Sequence, residues 1–306
     1  MTSENPRLEV SIGKLKLKNP VMVASGTFGN GEEYKDLVDL KNLGAIVSKT
    51  ITLKARDGNP PPRIAETASG MLNSIGLENK GLKDFLDNKL PFMRRIGIPV
   101  IVSIAGQDAD EFFKLAKALD KEGVSGIELN LSCPNLNKKI FAHDPRLLVS
   151  VIKKARKATS KTLIAKLSPN VCDIAYFARV SKENGADAVA LINTVIGMAV
   201  DIKNKRPMLG NVKGGLSGPA IKPIALRMVW EVYLAVNIPI IGMGGIMDYK
   251  DALEFVICGA SAISVGTANF VNPSAVSEIP YGIKEYMRQY KIENIKKLRG
   301  SLRISA

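Results

Sequence analysis

GIELNLSCPN, at residues Gly126–Asn135, joins a short apolar run to a polar turn. Ile127, Leu129 and Leu131 supply apolar side chains, and the run is bounded by glycine and proline, which is typical of a buried strand. Pro134 prevents the strand from continuing. Because α/β proteins bind ligands at the carboxyl ends of their strands, this stretch predicts a strand that ends at a ligand site.

The turn carries three hydrogen-bonding side chains and one thiol, from Asn130, Ser132, Asn135 and Cys133. Two interpretations of Cys133 stay open at this point. It is either an ordinary buried cysteine, since free cysteine is among the most buried residue types, or a reactive thiol exposed at the turn. The repeated amides around it favour the second interpretation.

Seven further apolar runs resemble the first one in length and composition. With Gly126–Ser132, the eight runs are Pro20–Ser25, Ala45–Thr50, Val100–Gly106, Thr162–Ser168, Ala188–Thr194, Ile238–Gly245 and Ala262–Ala268. Such nearly continuous runs are expected where both faces of a parallel strand are covered. Helical patterns lie between them, as at Asp108–Glu122, Pro145–Thr159 and Asp173–Asn184. The alternation predicts an α/β fold, a single (β/α)8 TIM barrel domain over residues 1–306.

Three other features refine this architecture. Leu8–Pro20 alternates apolar and polar residues around Gly13, which predicts an N-terminal hairpin at one end of the barrel. Gly123, Gly185 and Gly259 each follow a helical pattern and predict left-handed helix ends. The long connections Ile51–Lys80 and Val195–Pro223 both follow strands, so we expect them to form lids or side walls on the face that carries active sites.

Composition limits the classes of function. The chain has 43 Lys and Arg against 29 Asp and Glu, a net charge of +14, but its basic residues are scattered and only 6% of its residues are aromatic. This disfavours nucleic-acid binding and fits a small anionic substrate or an acidic subunit. No uncharged apolar run of about 18 residues occurs, which predicts a soluble, cytoplasmic protein without a membrane segment.

Cysteine and histidine usage narrows the chemistry. The three cysteines, Cys133, Cys172 and Cys258, lack CxxC spacing, which argues against a disulfide framework or a metal or iron–sulfur site held by this chain alone. The single histidine, His143, precedes a helix-start signal, and this favours a surface or capping role. Ser-His-Asp catalysis is therefore uneconomical unless His143 is the base.

Polar residues at the ends of the predicted strands should face a ligand. They are Ser25, Lys49, Thr50, Ser103, Asn130, Lys166, Asn193 and Thr194. Two interpretations of Lys49 and Lys166 stay open: a salt bridge to a carboxylate inside the barrel, or contact with an anionic ligand. We expect no facing carboxylate at these strand ends, which favours an anionic ligand.

Glycine turns follow the last two strands, in GMGGI at Gly242–Ile246 and VGTANF at Val265–Phe270. This is where barrels of this fold bind phosphate through backbone N–H groups. Gly218, within GGLSGPAIKP at Gly214–Pro223, offers a third close approach of the backbone to a ligand. Simple tight turns are the alternative interpretation.

Together these motifs resemble those of the dihydroorotate dehydrogenases, flavoprotein barrels of pyrimidine (UMP) biosynthesis. The resemblance covers nearly the whole chain in order and rests on NSIGLEN at Asn73–Asn79, NLSCPN at Asn130–Asn135, KLSPN at Lys166–Asn170, INT at Ile192–Thr194, GGLSGPAIKP, GMGGI and VGT. The cysteine in NLSCPN is similar to that of the soluble class 1 enzymes. GGLSGPAIKP and NSIGL resemble the class 1B branch.

The resemblance implies an FMN site and an adjoining substrate site. FMN-binding residues are implied to be Ser25, Lys49, Thr50, Ser103, Asn130, Lys166, Ile192, Gly218, Gly244, Gly245, Gly266 and Thr267. Substrate-binding residues are implied to be Lys49, Asn73, Ser74, Ile75, Gly76, Leu77, Asn130, Asn135, Asn193 and Thr194. Ser103 departs from the pattern, since many relatives have asparagine there, so its contact with the flavin is the least secure.

The implied reaction is oxidation of (S)-dihydroorotate to orotate. Cys133 would be the catalytic base that removes the C5 proton, while hydride passes from C6 to N5 of FMN. Lys49, the second implied catalytic residue, would pair with the substrate carboxylate. Lys166 would stabilise negative charge on the reduced ring.

The class 1B resemblance also implies a partner subunit with FAD and a [2Fe-2S] cluster, which passes electrons to NAD. The assembly would be a heterotetramer of two plus two subunits around a homodimer core. Two alternatives stay open: a flavin-dependent dehydrogenase of another dihydropyrimidine, and a non-catalytic barrel that binds phosphate or a nucleotide. Lys49 discriminates the first alternative, because a neutral substrate would not need it.

Overall fold

The computed structural model describes residues 5–131, 141 and 144–304. Its strands are β1 (Val10–Ile12), β2 (Leu15–Leu17), β3 (Val21–Val23), β4 (Ile46–Val47), β5 (Ile64–Thr67), β6 (Gly70–Asn73), β7 (Val100–Ile104), β8 (Gly126–Asn130), β9 (Thr162–Lys166), β10 (Ala188–Leu191), β11 (Val195–Gly197), β12 (Val200–Asp201), β13 (Arg206–Pro207), β14 (Gly214–Ser217), β15 (Ile240–Met243) and β16 (Ala262–Val265).

The α-helices are α1 (Gly81–Asp84), α2 (Leu90–Arg95), α3 (Ala109–Asp120), α4 (Pro145–Ala158), α5 (Ile174–Glu183), α6 (Lys222–Ala235), α7 (Tyr249–Ile257), α8 (Ala268–Val271) and α9 (Ala275–Gln289). A π-helical segment, Phe85–Lys89, joins α1 to α2. Short 3₁₀ helices occupy Glu32–Tyr34, Leu40–Asn42, Pro219–Ile221 and Ile295–Lys297. Within the described ranges, no helix is long and apolar enough to cross a membrane.

Eight strands form one parallel sheet in the order β3-β16-β15-β10-β9-β8-β7-β4. A parallel bridge between Met22 and Ala45 joins the two outermost strands, and the Gly44 N–H donates to the Val21 carbonyl at 2.8 Å beside it. The sheet is therefore closed into a barrel. The predicted (β/α)8 architecture is confirmed, and each of the eight apolar runs contains one barrel strand.

The interior of the barrel is polar towards the carboxyl ends of the strands. All five residues of β8 are buried, but its alternate residues face opposite sides. The Glu128 and Asn130 side chains bond across the barrel to residues of other strand ends, so they point inward. Ile127 and Leu129 therefore point outward, into the hydrophobic core beneath the helices.

Helix boundaries follow the expected local chemistry. Asp108, Asp144 and Asp173 cap α3, α4 and α5, and each carboxylate accepts backbone N–H bonds from the first turn. Gly123, Gly185 and Gly259 have φ values of 65°, 109° and 118°, which confirms the predicted left-handed helix ends.

The β1–β2 hairpin closes the amino-terminal end of the barrel, as predicted. Leu15 and Leu17 are buried, and the Lys14 N–H donates to the Thr162 hydroxyl at 3.1 Å, at the first residue of β9. The hairpin thus fills the end of the barrel opposite the carboxyl ends of the strands.

The two long connections meet over the carboxyl ends of the strands. Strands β5 and β6 come from the first connection and β11 and β14 from the second, and together they form an antiparallel sheet in the order β11-β14-β6-β5. The prediction that both connections wall the site-bearing face is confirmed. In addition, the two connections pair with each other through strands β14 and β6.

Part of the basic segment Lys296–Arg303 packs back on the barrel. Ile295 and Leu298 are buried, and the Arg299 guanidinium lies 5.5 Å from the centre of the Tyr233 ring while its Nε donates to the Gly259 carbonyl. Burial lowers the pKa of Arg299. This part of the segment therefore anchors the chain end.

Candidate active site

A cavity of about 730 Å³ opens at the carboxyl ends of the barrel strands, beneath the antiparallel sheet. It is lined by most of the residues that the sequence predicted for a site: Ser25, Lys49, Thr50, Asn73, Ser74, Ile75, Gly76, Leu77, Asn130, Lys166, Ile192, Asn193, Thr194, Gly218, Gly244, Gly245, Gly266 and Thr267. Ser132, Cys133, Asn135 and His143 lie outside the described residues.

Among the predicted site residues that the structure describes, Ser103 alone does not line the cavity. It is fully buried in β7, and its hydroxyl is 2.9 Å from both the Thr50 hydroxyl and the Glu128 carboxylate. The Ser103 side chain is short and is already hydrogen-bonded to Thr50 and Glu128 behind the cavity wall, so its position does not support a direct contact with a cofactor.

One end of the cavity is made of closely packed glycine turns. Gly218, Gly244 and Gly245 have φ values of 95°, 122° and 76°. A Cβ added at Gly245 would lie 2.7 Å from the Lys222 Cβ and 2.9 Å from the Gly218 carbonyl oxygen, so no larger residue fits there. The backbone therefore forms the wall itself.

Three backbone N–H groups at this end have no hydrogen-bond acceptor among the described residues. The N–H groups of Gly245, Gly266 and Thr267 donate no hydrogen bond to any described residue. Ser264 adds a buried hydroxyl that lines the cavity and has no hydrogen-bond partner among the described atoms. Buried polar groups are normally satisfied, so these donors fit a ligand with anionic oxygens.

Lys222 braces this end of the cavity from outside. Its ammonium lies 2.6 Å from the Asp251 carboxylate and 3.0 Å from that of Glu254, so the start of α6 is tied to α7. The hydrogen bond to Asp251 raises the pKa of Lys222. Lys222 thus forms two ion pairs that hold α6 and α7 together beside Gly245.

Lys49 and the loop at 73–77 line another part of the cavity. Lys49 is half-buried and forms no ion pair within the described ranges. The loop after β6 is held by Asn59, whose Nδ2 donates to the Ser74 hydroxyl at 2.8 Å, and by the Ser74 N–H, which donates to the Arg63 carbonyl at 2.7 Å. Because Lys49 has no ion-pair partner in the described part of the chain, its ammonium is available to an anionic ligand.

Lys166 and a carboxylate meet in the barrel interior. Both Lys166 and Glu128 are buried, and the Ser25 hydroxyl lies between them, 3.3 Å from the Lys166 ammonium and 3.2 Å from the Glu128 carboxylate. The expectation that no carboxylate faces the strand-end lysines is wrong for Lys166. Glu128 shares the inward face of β8 with Asn130, which the two-residue period of the strand dictates.

Further residues line the cavity that sequence reasoning did not assign. They are Ala24, Gly26, Thr27, Ile64, Met71, Glu78, Ser168, Asn170, Ile196, Asn211, Lys213, Gly214, Gly215, Ser217, Ile221, Met243, Ser264 and Phe270. Ser264 and Met243 could have been found from the alternation of their strands. The residues from the paired long connections could not, because their approach depends on pairing between distant segments.

The cavity has two chemically distinct parts. Glycine turns after the last two strands present N–H donors that have no partner among the described residues, and the other strand ends present lysines and amides. A closed (β/α)8 barrel with a cavity at the carboxyl ends of its strands has the architecture of the TIM-barrel enzymes. The family model described as dihydroorotate dehydrogenase matches residues 7–287. This chain belongs to the dihydroorotate dehydrogenase family.

Individual relatives are similar over their full length. A protein of Thermoanaerobacter sp. (strain X514) is 54% identical over 299 residues, which are 97% of this chain and 99% of the relative. A protein of Trichlorobacter lovleyi is 52% identical over 300 residues, with 97% and 99% covered, and one of Geotalea daltonii is 51% identical over 302 residues, with 98% and 99% covered. Each is named dihydroorotate dehydrogenase B (NAD(+)), catalytic subunit.

Proposed function

We propose that this protein is the catalytic subunit of a class 1B dihydroorotate dehydrogenase, which oxidises (S)-dihydroorotate to orotate in pyrimidine biosynthesis and acts in the cytoplasm. One observation carries the proposal: a single cavity brings the glycine-turn N–H groups, which have no partner in the described part of the chain, together with Lys49, Lys166 and the loop at 73–77. The names and full-length similarity of the relatives support the same reaction.

The cofactor of the proposal is FMN. Its phosphate would be held by Gly218, Gly244, Gly245, Gly266 and Thr267, and the rest of the molecule by Ser25, Lys49, Thr50, Asn130, Lys166 and Ile192. When bound, FMN supplies a two-electron acceptor for the hydride that leaves C6 of the substrate. Unpaired N–H donors suit the phosphate, and the positive charge of Lys166 suits a ring that gains negative charge on reduction.

The protein's own groups would position the substrate and move its proton. Lys49 would pair with the carboxylate, while Asn73 to Leu77, Asn130, Asn193 and Thr194, together with Asn135, would orient the ring. The thiolate of Cys133 would take the C5 proton as general base. The walls formed by the two long connections would exclude water from the reacting atoms.

The test is anaerobic mixing of the FMN-loaded protein with (S)-dihydroorotate. We expect the visible flavin absorption to bleach and orotate to form in equal amount. Bleaching by dihydrouracil at a comparable rate would instead indicate a dehydrogenase of neutral dihydropyrimidines. Protein that stays colourless after FMN addition would contradict the proposal and favour a binding barrel without redox function.

Cys133→Ala separates the proton transfer from cofactor binding. We expect the variant to remain yellow and to bleach with dihydroorotate more slowly by about two to four orders of magnitude at neutral pH, because a positioned base contributes a factor of that size. Stopped-flow absorbance measures the rate, and Cys172→Ala, at an exposed thiol, is the matched control. Unchanged bleaching in Cys133→Ala would remove this thiol from the mechanism.

We also propose that the protein works with a partner subunit that carries FAD and a [2Fe-2S] cluster and passes electrons to NAD. The relatives' names, "catalytic subunit" and "NAD(+)", support a separate partner and this acceptor. The assembly would be two plus two subunits around a homodimer core. Co-purification of an iron–sulfur flavoprotein with NAD-dependent turnover is expected; turnover with fumarate but not NAD would contradict it.

A further inference from the structure

Glu128 is a buried carboxylate that takes no part in the proposed reaction and does not line the cavity. Its exposure is 3%, and its Oε1 accepts hydrogen bonds from the Ser103 hydroxyl at 2.9 Å and the Ser25 hydroxyl at 3.2 Å. The pairing of β7 with β8 sets Ser103 directly beside Glu128. A carboxylate at this depth is costly to bury unless it is hydrogen-bonded or paired with an opposite charge.

Two hydrogen-bonded arms lead from Glu128 to the cavity wall. In one arm the Asn130 Nδ2 donates to the Thr50 hydroxyl at 3.2 Å, and the Thr50 hydroxyl lies 2.9 Å from that of Ser103. In the other arm the Lys166 ammonium donates to the Ser25 hydroxyl at 3.3 Å. Four residues that line the cavity are thus linked to one carboxylate behind it.

The donors in both arms point the same way. A hydroxyl has one proton, so Ser103, which donates to Glu128, must accept from Thr50, and Thr50 in turn accepts from Asn130. Ser25 likewise donates to Glu128 and accepts from Lys166. The Lys166 ammonium and the Asn130 Nδ2 can only donate at the far ends of the two arms, and an ionised carboxylate at position 128 can only accept, so both ends of each arm set the same direction.

Glu128 also places a negative charge near the positively charged Lys166 ammonium. Lys166 is 5% exposed and forms no direct ion pair with a described residue, so the negative charge one hydroxyl away offsets part of its positive charge. In a low-dielectric interior such charges act on each other and on any bound ligand more strongly than in water.

We propose that Glu128 is a positioning residue of the cofactor site: it fixes the orientation of the Ser25, Thr50 and Asn130 donors and sets the net charge that bound FMN experiences. The inference rests on the proposed binding of FMN. Removing the negative charge while keeping the shape should make the site more positive, and a more positive site favours the form of the cofactor that holds two more electrons.

The test is the midpoint potential of bound FMN in the full-length protein with Glu128→Gln. We expect a rise equal to at least a tenfold change in the oxidised-to-reduced equilibrium, about 30 mV for a two-electron couple. Glu111→Gln, on the outer helix α3, is the matched control and should leave the potential unchanged. If the oxidised-to-reduced equilibrium constant of FMN in Glu128→Gln lies within twofold of the wild-type value, the proposal is overturned.

Glu128→Asp gives a second readout that does not depend on the first. It keeps the charge but withdraws the carboxylate, so we expect the potential to stay near that of wild type and the Kd for FMN, measured by flavin fluorescence, to rise at least threefold. An unchanged Kd would overturn the positioning role if Glu128→Gln fails to fold. Colourless wild-type protein would contradict the proposed function itself, whereas yellow wild type with unshifted variants would contradict this inference alone.

Discussion

Gly245 carries the strongest steric constraint at the proposed phosphate site. Its φ of 76° is unfavourable for other residues, and an added Cβ would meet Lys222 and the Gly218 carbonyl at less than 3.0 Å. Any side chain at this position would push the glycine turn and its N–H groups out of place. The sequence predicted a tight glycine turn here because a glycine pair follows the seventh barrel strand, where this fold binds phosphate; the turn lines the cavity, and its binding of phosphate stays a prediction.

Gly245→Ala should weaken FMN binding by at least tenfold, because the clash displaces the N–H donors while the left-handed backbone adds strain. Titration of the apoprotein with FMN, followed by flavin fluorescence, measures the effect. Gly97→Ala is the matched control: Gly97 has a φ of 80°, but its added Cβ would contact nothing within 4 Å and it does not line the cavity. Equal FMN affinities in the two variants would contradict the steric argument.

Glu128 shows what residue-level reasoning missed. The apolar residues of GIELN predicted the strand. Of the residues on its inward face, only Asn130 was assigned to the site, and Glu128 was not. The period of two places Glu128 beside Ser103 and beneath the cavity, so the sequence contained the signal. By contrast, the hydroxyl bridge through Ser25 depends on the curvature of the closed barrel and could not be predicted.

At the scale of elements, one carboxylate at the end of α3 holds the loop that precedes β9. Asp120 accepts hydrogen bonds from the Thr159 hydroxyl at 2.6 Å and the Ser160 N–H at 3.0 Å, and so joins the end of α3 to the loop between α4 and β9. The Thr159 hydroxyl, followed by the Ser160 N–H, lowers the pKa of Asp120.

Asp120→Asn should reduce the free energy of unfolding by about 1 kcal/mol at pH 7, since it weakens two hydrogen bonds to a charged acceptor at a partly exposed site. The folded-state pKa is lowered, so the stabilisation is present above the unfolded pKa of about 3.9 and is lost as the pH falls through the folded value. Urea unfolding from pH 7 to pH 3 should show the two proteins converging. A constant difference over this range would contradict the assignment.

The barrel strands, helix caps and hairpin were predictable because each rests on local pattern: apolar runs, Asp at helix starts and glycine at helix ends. The pairing of the two long connections was not. Strand β14 pairs with β6 across more than a hundred residues of sequence, and no local signal specifies such a partner. Met71, Gly214, Gly215 and Ser217, which these strands supply to the cavity, were missed for the same reason, whereas Asn73 was named through the family resemblance.

At the scale of the whole molecule, the charge of +14 acts on the approach of the substrate. Lys213 is exposed at the cavity wall, and Lys49 lies within it. Positive potential around a cleft concentrates anions and raises their association rate, and salt screens this effect. An anionic substrate would therefore approach the cavity faster because of the basic surplus.

We expect kcat/KM for dihydroorotate to fall several-fold between about 0.01 and 0.5 M ionic strength, while kcat stays nearly constant, because salt screens charges at the longer distances of approach. Lys213→Gln should reduce this salt dependence. Lys16→Gln, on β2 at the opposite end of the barrel, is the matched control. Steady-state kinetics that give equal salt dependence in both variants would contradict steering at the cavity mouth.

The central claim is that one cavity holds the cofactor at its glycine turns and the substrate at Lys49. A crystal structure of the protein grown with FMN and orotate tests it most directly. We predict the FMN phosphate on the N–H groups of Gly245, Gly266 and Thr267, and the orotate carboxylate on the Lys49 ammonium. A phosphate bound elsewhere, or an orotate that does not contact Lys49, would contradict the account.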